Sequence, residues 1–284
     1  MKRQRIVTAI LSLMLGLSLN TFGQVMDSPP RDGVYDKIHT NERKPIPYSA
    51  LREADVVWQN RIWRAIDLRQ KLNQPFYFPE NPHNGWRNFM TVIMDALKEG
   101  TITAYQVSPT DEFTVPLTYQ EIMSNLERSD TVQLTRPYPP YEPYDTVLST
   151  KFNSLDIKMI RIKEDIYFDK QRSQMDVRII GVCPVRDNYD ENGVFRGKEP
   201  LFWIYYPEIR PVLAKAEVFN RFNDAERRTY EDIFWKRMFE SYIIKEKNVY
   251  DRKVADYAQG LDALLESERI QNQLFLFEHD LWEF

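Results

Sequence analysis

The residue spacing that comes nearest to a chemical site is Asn188-x-Asp190-x-Asn192-Gly193 followed by Glu199. It matches the calcium-loop pattern D-x-[DN]-x-[DN]-G-x5-E, with Asn in the first place. In such a loop alternate oxygens converge on the ion, the glycine takes the sharp turn and the distal carboxylate closes the cage. Three features oppose that reading. Asn188 lacks the charge of a leading ligand, Pro200 bars a helix from starting after Glu199, and the flanks read as strands. The same residues read as a polar hairpin loop with a type I′ Asn-Gly turn, and no metal or other cofactor is expected.

Catalytic groupings are missing from the rest of the chain. The histidines, His39, His83 and His279, are scattered, and none falls in metal-ligand spacing. Cys183 is the one cysteine and sits in the apolar run Ile179 to Val185. It reads as a small buried apolar residue, with a reactive or intermolecular thiol as the alternative. Glu164-Asp165 and Glu231-Asp232 are adjacent acids, which point different ways on any regular element. No nucleophile elbow, phosphate loop or dinucleotide fingerprint occurs, so the chain does not read as an enzyme.

A different chemistry is suggested by Arg61, Arg64, Asp67, Arg69 and Lys71 beside Trp58 and Trp63. On a helix, Asp67 would pair with Lys71 and Arg64, giving a solvated face. Arginine beside tryptophan is also the composition of protein interfaces. Trp58 and Trp63 would lie about 140° apart on a helix, so one must face another layer or a neighbour. Arg61, Trp63 and Arg69 are therefore the candidate interaction residues.

The elements that would carry these residues read as follows. Leu51, Ala54, Trp58, Ile62, Ala65 and Leu72 recur at three and four with one wider gap, which predicts a helix from Ser49 to Pro75. A second helix is predicted from Trp86 to Glu99, capped by Asn84 and stopped by Gly100. Thr101 to Val107 reads as a strand, and Thr118 to Glu121 as a capping box before a helix ending near Arg128. Ile157 to Phe168 and Met175 to Val185 read as a hairpin, and Leu201 to Tyr206 as a buried strand. Asn223 to Glu226 reads as a capping box before a helix carrying Tyr230, Phe234, Arg237, Met238, Ser241 and Tyr242. Asp251 to His279 reads as a closing helix, weakened at Gly260, before the aromatic end Trp282 and Phe284.

The chain thus reads as α+β. A signal peptide (1–23) and an extended arm (24–48) precede a mostly helical part (49–128). A Pro/Tyr-rich linker (129–147) leads to an α+β part (148–284) with an antiparallel hairpin region and a helical C-terminal part. The leader is read from Lys2, Arg3 and Arg5, the apolar run Ile6 to Leu19, and the small residues Thr21 and Gly23. No cysteine follows the run to carry a lipid, so no lipid anchor is expected. Cleavage after Gly23 would leave 38 − 3 = 35 basic residues against 42 acidic ones, a balance that opposes nucleic-acid binding.

Several blocks in order resemble the GldN/PorN family, protein N of gliding motility and type IX secretion in Bacteroidota. They are Glu53-Ala54-Asp55-Val56-Val57-Trp58 running into Arg64 to Pro75, Ala96 to Tyr105, Asp111 to Thr114, Ile162 to Lys170, Arg178 to Gly181, Pro200 to Glu208 and Arg228 to Arg237. The blocks span about 49–252, and no block matches before or after. The resemblance implies a non-enzymatic periplasmic component that builds a ring with an outer-membrane lipoprotein, protein K. It also implies contacts with the periplasmic part of the inner-membrane protein M and with further copies of itself. Localisation would then be the periplasm, with attachment to the outer membrane through the lipoprotein. Two other readings are a secreted or periplasmic cargo or binding module of the same pathway, and a periplasmic metal-dependent enzyme. The helical reading of 251–284 disfavours cargo, which usually ends in a β-rich sorting domain.

Overall fold

Val56 to Asp67 forms a strand, not the expected helix, and lies second from one edge of the main sheet. The computed structural model describes residues 38–281 except 136, 140–142, 151, 190–193, 221–222 and 224. The leader, the arm up to Lys37, the Asn192-Gly193 turn, and Trp282 and Phe284 therefore lie outside the described residues.

In chain order the elements are α1 (Ile38–Asn41), β1 (Val56–Asp67), α2 (Gln74–Tyr77), α3 (Phe89–Lys98), β2 (Ala104–Tyr105), β3 (Pro116–Leu117), α4 (Tyr119–Leu126), β4 (Arg128–Thr135) and β5 (Pro143–Thr150). Then come β6 (Ile157–Asp169), β7 (Gln174–Tyr189), β8 (Phe195–Pro200), β9 (Trp203–Tyr205), α5 (Tyr206–Lys215), α6 (Tyr230–Trp235), β10 (Tyr242–Glu246) and α7 (Leu261–Asp280). The main sheet runs β10-β1-β6-β7-β9-β2-β3, with β8 also paired to β7. Its pairings are antiparallel.

The chain is α+β, as its sequence implies, but the helical N-terminal part is replaced by strand. β1 pairs with β6 from Val56↔Asp169 to Asp67↔Met159, and with β10 from Ile62↔Glu246 to Ala65↔Tyr242. Ile62 to Ile66 are all buried, because both faces of β1 are covered. A strand covered on both faces loses the apolar–polar alternation that marks strands in sequence. Its Val, Ile and Trp content is what a pleated surface favours. The stretches 49–128 and 148–284 thus contribute to one sheet. The Pro/Tyr-rich segment read as a linker supplies β4 and β5, which pair from Arg128↔Thr150 to Thr135↔Pro143.

Other expectations fare unevenly. The β6–β7 hairpin forms as read, from Asp169↔Gln174 to Ile157↔Arg186. The capping box Thr118–Glu121 opens α4. Helix α3 starts at the cap Asn88, not Asn84, and stops at Gly100 with φ 69°. The expected strand 101–107 shrinks to β2, and that at 201–206 to β9. Among the described residues no helix starts at Asn223, and the helix that carries Tyr230 and Phe234 opens later. The cap there is Thr229 with Asp232, which opens the short α6, while Ser241 and Tyr242 lead into β10 rather than extending a helix. Pro75 lies in the first turn of α2, where its missing N–H costs nothing, instead of ending a helix. Gly260 precedes α7 rather than weakening it.

Even-numbered residues of β1 and β6 share one sheet face. At one end Ile66, Ile160 and Ile162 pack with Ile93 of α3, Leu213 of α5 and Phe234 of α6. At the other end Ile62 and Ile166 pack with Ile243 of β10 and with Ile270 and Leu274 of α7. Between these two clusters Glu164, with no exposed surface, accepts from Arg64 and from Arg237 at 2.9 and 3.2 Å. The opposite face carries Trp63, Cys183 and Trp203 under Tyr105, Val107 and Phe113. Gly181 is required there, since a Cβ would lie 2.7 Å from the Phe113 ring.

Removing the buried carboxylate would strand Arg64, so Glu164→Ala is expected to cost about 3–5 kcal/mol in a urea melt. A loss below about 1 kcal/mol would show that Arg64 regains water or another acceptor. Tyrosine burial sets a pH limit as well. Desolvation chiefly raises Tyr48 to about 12 and drives Tyr206 and Tyr230 upward from the usual 10. The unfolded chain then ionises first, so this stability is complete below pH 10 and is lost as pH rises through 12. The urea midpoint should fall steadily over pH 10–12; a flat profile there would contradict the assignment.

Candidate interaction site

The candidate residues Arg61 and Trp63 lie on the same face of β1, two residues apart, and Arg69 follows the strand's end. Arg61 holds Asp165 of β6 through both carboxylate oxygens, at 2.6 and 2.7 Å, and Gln59 donates to the same carboxylate at 2.9 Å. The Asp165 hydrogen bond raises the Arg61 pKa. Trp63 is only 6 % exposed, and the Lys245 ammonium lies 4.3 Å from its ring centroid. Lys245 also meets Asp251 at 2.6 Å. The expected facing of Trp58 and Trp63 toward different layers does occur, through strand alternation rather than helical rotation. Trp58 stacks near Phe277 of α7 at 4.6 Å, and Trp63 packs on Cys183 and Trp203.

Arg69 is exposed, yet it is clamped to Asp67 by bonds of 2.7 and 2.9 Å from its guanidinium and 3.0 Å from its backbone N–H. Those bonds hold the Asp67 carboxyl below its ordinary range. The helical pairs expected of Asp67 with Lys71 and Arg64 are thereby replaced. A strand turns those side chains elsewhere, and Arg64 goes to Glu164.

Lys163, beside Arg61 on this face, donates to the Asp111 carbonyl at 2.7 Å and lies 5.2 Å from the Phe113 ring. Burial first, then the Arg61 charge, lowers its pKa. Asp111 also accepts from the Trp203 indole at 3.0 Å. Cations and aromatics therefore alternate across this face, tied to the loop before β3. Two further buried charges have close partners. Arg210 meets Glu231 at 2.6 Å, and Thr40 donates to Glu217 at 2.8 Å.

The calcium-loop residues do not converge among the described positions. Asn188 pairs with Gly197 across β7 and β8, and Glu199 forms an ion pair with Arg186 at 3.1 Å. Asp190 and Asn192 lie outside the described residues. Among the described residues no group of three His, Cys, Asp or Glu side chains is placed to hold a metal ion. A hollow of about 200 Å³ lined by Tyr48, Asp176, Trp235 and Arg237 is smaller than the roughly 300–1,000 Å³ of small-molecule sites.

The sequence did not signal how the end of the arm is fastened. Arg43 meets Asp232 at 2.6 Å, and Arg178 donates to the Ser49 carbonyl at 2.6 Å. Tyr48 lies 4.0 Å from the Arg210 guanidinium and 5.0 Å from that of Arg178. Residues 43–48 belong to the arm that reads as extended because of its prolines, and Ser49 reads as the start of a helix. Their partners Asp232, Arg178 and Arg210 are more than a hundred residues away in sequence, so no local pattern could reveal them.

A family model described as gliding motility associated protein GldN matches residues 51–283. The chain belongs to the GldN family. The match spans every strand of the main sheet and all of α7, beyond the 49–252 stretch that carries the sequence blocks. GldN proteins are components of gliding motility and type IX secretion. No curated protein matches the chain. Among the described residues no helix is long and apolar enough to cross a membrane.

Cys183 has no exposed surface, and burial pushes its thiol up to about 12. A soluble thiol reagent at pH 8 should leave the folded protein unlabelled and modify it promptly in urea. Rapid labelling of the folded chain would restore the reactive-thiol reading. Replacement by Ala should cost about 1 kcal/mol, read from a urea melt.

Proposed function

We propose that the chain is a non-enzymatic building block of the type IX secretion and gliding-motility machinery. In this reading it is exported to the periplasm and forms a ring with further copies of itself and with outer-membrane lipoprotein K. It also contacts the periplasmic part of inner-membrane protein M, and it reaches the outer membrane through the lipoprotein. The observation that carries this reading is the family match over 51–283. The pairing of the buried charged side chains inside the fold supports it, because a catalytic centre ordinarily holds polar groups poised for a substrate.

The contact residues of this reading are Arg69, exposed just beyond the end of β1, and Arg61, eight positions back on the strand, with Trp63 buried on the same strand face as Arg61. Arginine at a rim shifts association through charge, and its removal leaves the core untouched. Arg69→Glu breaks only an exposed ion pair and should change stability by less than about 1 kcal/mol. Circular dichroism should therefore match the unaltered chain, while co-purification with lipoprotein K or with a second tagged copy should weaken. If Arg69→Glu and Arg61→Glu both fold and both assemble normally, these residues are ordinary domain surface. The wider reading is tested by affinity purification of the tagged chain from the periplasm followed by electron microscopy. Recovery of the chain alone, without lipoprotein K, would overturn it.

A further inference from the structure

Helix α7 has apolar residues on two opposite faces. Ser267, Ile270 and Leu274 are buried against the sheet. Leu261, Leu264, Leu265, Phe275 and Leu276 are each between 53 and 70 % exposed. At 100° per residue these five fall on one stripe about 120° wide, with Glu268 and Asn272 at its middle. The stripe lies directly opposite the buried face. Its apolar area, on the order of 600 Å², is divided between a Leu261–Leu264–Leu265 end and a Phe275–Leu276 end, with Glu268 and Asn272 between them.

The order of residues along the stripe is nearly palindromic about Ile270. Leu264 and Leu265 precede that centre by six and five positions; Phe275 and Leu276 follow it by five and six. Leu261 and His279 are nine positions either side, and Glu268 and Asn272 two. A two-fold contact between identical helices must satisfy this condition, because the same patch faces itself reversed. Laid antiparallel, Leu264 of one copy meets Phe275 of the other on one flank, and Leu265 meets Leu276 on the other flank. Near the centre the Glu268 carboxylate comes opposite the Asn272 amide, a hydrogen-bond donor, rather than opposite another acid. Two such stripes bury on the order of 1,200 Å², at the lower bound for a specific interface.

We propose that α7 pairs antiparallel with α7 of a second copy of this chain, forming an isologous dimer through the Leu261–His279 stripe. The inference rests on the helix alone and does not require the family role. The test uses the exported chain purified from cells. Light scattering should report a monomer–dimer equilibrium in the micromolar range. Leu265→Glu should raise the dimer dissociation constant at least tenfold, with circular dichroism unchanged and the melting temperature of the dilute, monomeric chain unchanged. Orientation is read by oxidising a mixture of Leu264→Cys chains with differently tagged Phe275→Cys chains. Disulfides should join the two kinds of chain. They should not join Leu264→Cys to itself, since those positions lie about 18 Å apart along the pair.

A chain that stays monomeric at a hundred micromolar overturns the proposal. So does a dimer indifferent to Leu265→Glu, or one in which Leu264→Cys links to itself. A monomer that loses melting temperature with Leu265→Glu would assign the stripe to a segment of its own chain. A monomer that loses only lipoprotein K would assign it to that partner. Both outcomes overturn the dimer.

Discussion

Glu164 has no exposed surface, and both its oxygens are taken, by Arg64 from β1 and by Arg237 from beyond α6. An unmatched carboxylate in this position would lose its hydration with nothing to replace it. The requirement fixes how β1 lies on β6. A slip of one residue would turn Arg64 to the other sheet face and leave Glu164 with Arg237 as its remaining partner. The register then dictates the rest. Ile62 and Ile66 fall on the face that α7, α3, α5 and α6 cover, and Trp63 falls on the face that the loop before β3 covers. Arg237 ties the segment after α6 to the same point, so β1, β6 and the end of α6 are joined by one ion cluster.

The second face uses a looser device. Lys163, Lys245 and Arg61 lay their long stems over or beside Phe113, Trp63 and Asp165 while keeping their charges on an acceptor. Such side chains cover aromatic area without an apolar layer above them. Phe113 can reach this layer only because Gly181 has no side chain. The arrangement explains why arginine beside tryptophan in the sequence is not by itself an exposed interface. Trp63 is buried within the fold, Arg61 is part-exposed and bonded to Asp165, and Arg69 stands at the surface.

What the sequence revealed depended on how local each cause was. The β6–β7 hairpin was legible because both strands are β-branched and joined by a short polar turn. The α4 cap was legible because Thr118 and Glu121 bond each other. β1 was not legible as a strand, because burial on both faces erased its alternation and chance put Ala54, Trp58, Ile62 and Ala65 at helical spacing. β10 was missed for a related reason. Tyr242 to Glu246 is short and gains its stability from β1, some 180 residues earlier in the chain. The candidate residues were chosen by type, and their surroundings were not legible, since Asp165, Lys245 and Asp251 come from other strands and loops.

Symmetry separates the two kinds of contact argued for this chain. A two-fold helix pair closes on itself, so any number of copies joined only through α7 would stop at two. A ring needs a second surface that meets a different patch on the next copy, with a rotation that returns to the start. Arg69 lies beyond the end of β1, outside the α7 stripe, and so belongs to a different patch. Chains that used both contacts would assemble from dimers, and each ring formed through the second surface would carry a two-fold related counterpart. If the second contact were itself isologous, the copies would alternate and their number would be even. The palindrome on α7 thus bears on the architecture of the assembly as well as on the pairing of two helices.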